Sequence, residues 1–164
     1  MEVTQKLSSQ DNDKLQCVKT NSAHPDFAPL VDKLNQELAA RDGDEHAFYD
    51  QFNSIEHLQH VMVGYLEEEA ICCGAFKIRE DEQVEVKRMY TLPDYRGRGF
   101  GLKLLSELEA WAQSLGVEKV LLETGKRQPE AIRLYQKAGY RSIENYEPYV
   151  GVENSVCFEK LLKS

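Results

Sequence analysis

An α/β (α+β) fold, with strands and helices sharing one domain, is predicted from three observations on this chain. Runs with a period of two alternate with runs of period 3.6 over most of the 164 residues. Short polar turns join neighbouring strand-like runs. A glycine-rich turn, Tyr95-Arg96-Gly97-Arg98-Gly99-Phe100-Gly101, then feeds directly into an amphipathic helix. By length the chain is a single domain, residues 15–164, preceded by a flexible segment, residues 1–14, that is rich in Ser, Gln, Asp and Lys. A hydrophobic content of 41% is enough for one core.

Leu15–Thr20 suits a first strand. Pro25–Ala40 gives a helix through Phe27, Leu30, Val31, Leu34 and Leu38. Arg41-Asp42-Gly43-Asp44 is a turn, and Asp44 is placed to cap a second helix through Phe48, Tyr49 and Phe52. Val61–Leu66 and Ala70–Arg79 form a hairpin about Glu67-Glu68-Glu69. A second turn, Glu80-Asp81-Glu82-Gln83, leads into a strand from Val84 that stops before Pro93. The helix after the glycine turn carries Leu102, Leu104, Leu105, Leu108 and Trp111, and Gly116 closes it. Lys119–Glu123 is a short apolar strand, and Pro129 opens a helix at a position where its missing N–H costs nothing. Ser155–Leu161 supplies the last strand. No internal repeat or low-complexity segment appears.

The glycine turn carries the chemistry. Glycines at alternate positions contribute nothing to a core, but they let the backbone approach a ligand closely. A helix N-terminus after such a turn favours negative charge, and Arg96 and Arg98 add to that field. A pyrophosphate is the expected guest. No Gly-x-x-x-x-Gly-Lys-Ser/Thr string is present. A dinucleotide fingerprint would put its third glycine at Leu102, but here it falls at Gly101. Arg96, Gly99 and Gly101 do fit Arg-x-x-Gly-x-Gly.

On that motif the chain resembles the GNAT superfamily of acetyl-CoA-dependent N-acetyltransferases, whose pyrophosphate loop follows Gln/Arg-x-x-Gly-x-Gly/Ala. The order of strand, glycine loop, helix, strand, then a helix ending Leu-Tyr-x-Lys-x-Gly-Tyr (Leu134–Tyr140) is similar to the family's core, roughly from Leu58 to Leu162. The resemblance implies a GNAT-like fold, a mixed central sheet of about six to seven strands flanked by helices, with acetyl-CoA as co-substrate, no metal, and direct acetyl transfer to a primary amine in a ternary complex. It places Met89, Tyr90 and Thr91 along the thioester and pantetheine arm, with backbone amides near Met89 and Tyr90 polarising the carbonyl. It puts Arg96, Gly97, Arg98, Gly99, Phe100 and Gly101 around the pyrophosphate. Gln128 stands where many members carry a shorter amide, asparagine, against the cofactor.

For catalysis, the resemblance implies Glu85 as general base and Tyr135 as the acid that protonates the departing thiolate. Other readings stay open: a water relay to another residue could supply the base, Gln83, Glu85 and Lys87 fall on one polar face of an alternating strand, and Tyr135 could pack as a core residue beside Leu134. Asp42, Asp44, Glu45, His46, Phe48, Tyr49 and Phe52 fall where family members line an acceptor pocket.

The segment Tyr146–Cys157 resembles a bacterial subgroup labelled as acting on small acids or amino acids. With Lys87 and Arg88 near the site, this favours a small amine that also bears a carboxylate. Alternatives are a protein lysine or N-terminal acetyltransferase, and a non-catalytic acyl-CoA-binding sensor.

Composition bounds the partners. A formal charge of -8 argues against a general nucleic-acid binder. No run approaches the ~18 apolar residues of a membrane span, and no signal-peptide pattern opens the chain, so a cytoplasmic protein is expected, with a homodimer kept open. Cys17, Cys72, Cys73 and Cys157 show no Cys-x-x-Cys pairing and read as reduced thiols, with adjacent Cys72 and Cys73 facing opposite sides of a strand. His57 and His60, three apart without partner carboxylates or thiols, read as structural or solvated.

Overall fold

The computed structural model describes residues 14–43, 58–80 and 82–162. Within them run β1 (Gln16–Thr20), α1 (Phe27–Asp42), β2 (His60–Leu66), β3 (Glu69–Glu80), β4 (Gln83–Thr91), a 3₁₀ turn (Pro93–Tyr95), α2 (Phe100–Ser114), β5 (Lys119–Gly125), α3 (Pro129–Lys137), β6 (Arg141–Ile143) and β7 (Ser155–Leu161). The strands form one seven-stranded sheet in the order β1-β2-β3-β4-β5-β7-β6. All neighbours are antiparallel except β4 and β5. This is the mixed, helix-flanked sheet that the resemblance implies.

Strand alternation decides which helix covers which face. On one face Met62, Cys72, Phe76, Val84, Val86, Val120, Leu122 and Phe158 pack against Phe100, Leu104, Leu105 and Leu108 of α2. On the other, Val61, Val63, Cys73 and Ala75 meet Phe27, Leu30, Val31 and Leu34 of α1. Cys72 and Cys73 therefore lie in different halves of the core, as a period of two requires. Each large side chain buried in this way stabilises the fold by roughly 1.5–3 kcal/mol.

The β3–β4 ladder is interrupted near the middle of the sheet. Opposite Gly74 its register slips between Ala75↔Lys87 and Cys73↔Tyr90, so two β4 residues face one of β3. Arg88 in this bulge has φ 60°, costly for a non-glycine residue. Gly74 makes the bulge possible, because a Cβ there would stand 2.5 Å from Met89 Sδ and 2.9 Å from Leu108 Cδ1.

The strand β6 has no counterpart among the predicted elements: it is three residues long, pairs with β7, and is too short to show a period. The helix through Phe48, Tyr49 and Phe52 lies outside the described residues, as do Asp44, Glu45, His46 and His57. No helix among the described residues is long and apolar enough to cross a membrane.

Candidate functional site

The site grows from a parting of strands. β4 and β5 pair in parallel only from Gln83↔Lys119 to Val86↔Leu122. Past that point β4 continues beside β3 and β5 beside β7, so the sheet splits and its interior opens. Two adjoining cavities occupy the split. The larger, about 400 Å³, runs along Met89, Tyr90 and Thr91 to the glycine loop and α3. The smaller, about 100 Å³, lies under α1 beside Glu85, Lys87 and Glu123. Leu34, Met89, Gln128, Ala131 and Tyr135 line both, so the cavities meet at these side chains.

The larger cavity gathers Met89, Tyr90, Thr91, Arg96, Gly97, Gly99, Phe100, Gly101 and Gln128, nearly all of the predicted cofactor set. Gly97 (φ 77°) and Gly99 (φ 86°) hold left-handed conformations that only glycine adopts cheaply. Gly99 caps α2, and its carbonyl accepts from Lys103 N at 3.0 Å. Gly101 keeps open a space that a Cβ would fill, 3.5 Å from Thr91 Oγ1 and 3.6 Å from Leu134 Cδ2. Loop and helix N-terminus thus present backbone to a cavity large enough for an extended ligand.

The two loop arginines differ. Arg96 Nε donates to Thr91 O at 2.8 Å, its Nη2 reaches Glu37 Oε1 at 3.0 Å, and its guanidinium lies over the Tyr90 ring. It ties the loop to the end of β4 and to α1 while lining the cavity. Arg98 lies over the rings of Tyr95 (5.5 Å) and Phe100 (5.1 Å), outside the cavity lining.

The smaller cavity is acidic. Glu85 is 6% exposed, which replaces the solvated polar face with a buried carboxylate. Its cover comes from a distant segment: Tyr146 OH donates to Glu85 Oε2 at 2.9 Å. Arg79 stacks on the Tyr146 ring at 4.5 Å and donates to Glu147 O, holding that segment down. Burial, then the adjacent Glu85, raises the Tyr146 phenol well above its ordinary value. Lys87 Nζ stands 4.0 Å from Glu85 Oε1, and burial lowers its ammonium pKa against the opposing pull of Glu85.

Glu123, on β5 just past the split, accepts from Ser155 Oγ at 2.7 Å, and burial pushes its carboxyl up to about 7. Asp42, at the end of α1, completes the acidic wall, with Arg127 3.9 Å away. Arg88 is buried and reaches Asn35 Oδ1 on α1 at 2.5 Å.

Tyr135 stands where the cavities meet. Its ring packs near Tyr140 and Phe158, and burial, followed by the charge of Glu123, raises its phenol. It therefore keeps its proton at neutral pH and can donate it. His60 stacks on Phe76 at 4.7 Å, with Trp111 edge-on, a packing role.

Sequence reasoning brings Glu85, Tyr135 and the loop to this site but misses Glu123, Tyr146 and Ser155. A carboxylate closing the apolar run Val120-Leu121-Leu122 is the available signal for Glu123. Nothing local marks Tyr146, whose partner is 61 residues away in sequence.

Known proteins resemble this chain in sequence and in fold. The model of the Acetyltransferase (GNAT) family matches residues 27–140. An IAA acetyltransferase of Azospirillum brasilense is 40% identical over 91 residues, 55% of this chain and 60% of that protein. The chain thus matches less than two thirds of that relative's length. A Klebsiella pneumoniae structure, provisionally assigned as an acyl-CoA N-acyltransferase, superposes with TM-score 0.77 at 28% identity, covering 91% of this chain and 98% of that one. A GNAT family acetyltransferase from Elizabethkingia anophelis, with acetyl-CoA bound, shares the fold at TM-score 0.68 and 18% identity, covering 92% and 99%.

Proposed function

The chain belongs to the acetyltransferase (GNAT) family, and from that premise we propose that residues 15–164 form one acetyltransferase domain that moves an acetyl group from acetyl-CoA to the primary amine of a small molecule. The observation that carries this reading is the meeting of two unlike cavities at Tyr135 and Met89. One is long and lined by backbone and a glycine turn. The other is small, buried and lined by carboxylates.

The larger cavity fits the co-substrate. The amides of the glycine loop and the N-terminus of α2 would hold the pyrophosphate, with Arg96 fixing the loop's shape. β4 beyond Val86 has lost its β5 partner, so its edge at Met89–Thr91 is free of the parallel ladder and would pair with the pantetheine arm. Acetyl-CoA supplies the activated acyl group as a thioester. Near Met89 and Tyr90, backbone amides polarise its carbonyl.

The chain's own groups handle the protons. Tyr135, protonated and buried, gives its phenolic proton to the sulfur as the C–S bond breaks. Glu85, held by Tyr146 and Lys87, draws an ammonium into the smaller cavity, where a carboxylate acts as base toward it, directly or through water. A volume of about 100 Å³ admits a small amine rather than a folded chain segment. Lys87, on the same wall, would meet a carboxylate on that acceptor, which favours an amino acid or related amine. Transfer is direct, within a ternary complex, because both cavities open on the same side chains.

Thiol release from acetyl-CoA, measured against a panel of amino acids, polyamines, amino sugars and peptides, tests this. Small amines are expected to drive release, amino acids above polyamines. Release driven by peptides alone would move the function to a protein acceptor, and binding without release would make the chain a sensor.

A further inference from the structure

We propose that Glu123 is a further catalytic residue, the group that takes the proton from the acceptor's ammonium, while Glu85 holds that ammonium in the cavity. The inference rests on the acetyl-transfer reading and sharpens it.

Three observations carry it. First, the two buried carboxylates are held differently. Glu85 has a phenol on Oε2 and the Lys87 ammonium 4.0 Å from Oε1. Among the described residues, the hydrogen-bond donor to Glu123 is the neutral Ser155 hydroxyl, on Oε2. Second, Glu123 is the first β5 residue beyond the parallel ladder, so it lies where β4 and β5 part, and it lines the smaller cavity with Tyr135. Third, the groups that face it from the surrounding elements oppose one another: Glu85 and Lys87 from β4, Asp42 from α1, Tyr135 from α3, Ser155 and Cys157 from β7. Glu85 and Asp42 raise the Glu123 carboxyl while Lys87 and Ser155 lower it, and burial outweighs them all, leaving it near 7. A carboxyl that titrates near working pH, placed where the cavities meet beside Tyr135, is well matched to accept that proton.

The step balances without another reactant. The ammonium gives one proton to Glu123, and its nitrogen, now neutral, forms the N–C bond to the thioester carbonyl carbon. As the C–S bond breaks, Tyr135 gives its proton to the sulfur and then recovers the second nitrogen proton. Glu123 returns its own proton to solvent. One proton is released for each amide and thiol formed.

The test is the pH profile of kcat/KM for the best amine of the panel, in wild type, Glu123→Gln, Glu85→Gln and Ser155→Ala. Wild type should show an acidic limb near pH 7, separate from the limb of the free amine near ~10. Glu123→Gln should lose the lower limb and about 10²-fold or more in rate at neutral pH. Glu85→Gln should keep a lower limb and raise the acceptor KM. Ser155→Ala should move the limb to higher pH, because the lost hydrogen bond favoured the ionised form, and this variant decides the matter if Glu123→Gln does not fold. A wild-type lower limb in Glu123→Gln, or its loss in Glu85→Gln with no shift in Ser155→Ala, overturns the proposal and leaves acetyl transfer standing. No thiol release from wild type with any amine overturns both.

Discussion

The two cavities on either side of Tyr135 are built on opposite plans. The larger is made mainly of one nearly continuous stretch, Met89 to Leu102, completed by α3 and by Leu34 and Glu37 of α1, and its working surface is main chain shaped by glycines. The smaller is assembled from α1, β4, β5, α3 and the segment before β7, and its working surface is charged side chains withdrawn from water. The first needs a shape that few backbones adopt. The second needs charges that are costly to bury alone and so are paired. A pyrophosphate-binding loop can thus be carried by a short motif, whereas an acceptor pocket depends on which distant segments cover it.

If the plans differ in this way, they should fail differently. The largest effect is expected at the loop. Gly101→Val fills the space between Thr91 and Leu134, and calorimetry should show acetyl-CoA affinity falling at least about 100-fold, near 3 kcal/mol. The variant should remain folded, since even a Cβ there meets only ordinary contacts. Unchanged affinity in the folded variant would remove the loop from the cofactor site.

Next comes the junction. Tyr135→Phe should lower kcat by about 10- to 100-fold or more while leaving the acetyl-CoA dissociation constant nearly unchanged. Full turnover would make Tyr135 a packing residue. On the acidic side, Tyr146→Phe removes the hydroxyl that covers Glu85 and should cost about 1–3 kcal/mol of stability by chemical denaturation, with acetyl-CoA binding untouched.

The subtlest effect is a pH dependence. Because the folded state holds the Glu123 carboxyl near 7 against an ordinary 4.5, the folded protein binds more protons than the unfolded chain between those values. Its contribution therefore lowers stability as pH rises from about 4.5 to 7 and costs roughly 3 kcal/mol above that window. Glu123→Gln should abolish this component, so the stability of the variant relative to wild type should rise across the window. A flat difference between the two proteins would place Glu123 in contact with water.

What the sequence could and could not reveal tracks the same division. The glycine loop, α2 and the strand Ser155–Leu161 stand out because each is a local pattern, and the opposite orientations of Cys72 and Cys73 come from strand period alone. β6 does not stand out, since three residues carry no period. The burial of Glu85 is invisible for another reason: alternation places Glu85 and Lys87 on one face but says nothing about what covers it, and the cover is Tyr146, held by Arg79. The parting of β4 from β5 has no local signature, so Glu123 reads as the polar end of an apolar strand.

The central claim is that both substrates meet at Tyr135 for direct transfer, and two-substrate initial-rate kinetics test it most directly. With acetyl-CoA and the best amine varied together, double-reciprocal lines should intersect, as a ternary complex requires. Parallel lines, with acetyl-labelled protein recovered in the absence of amine, would contradict it.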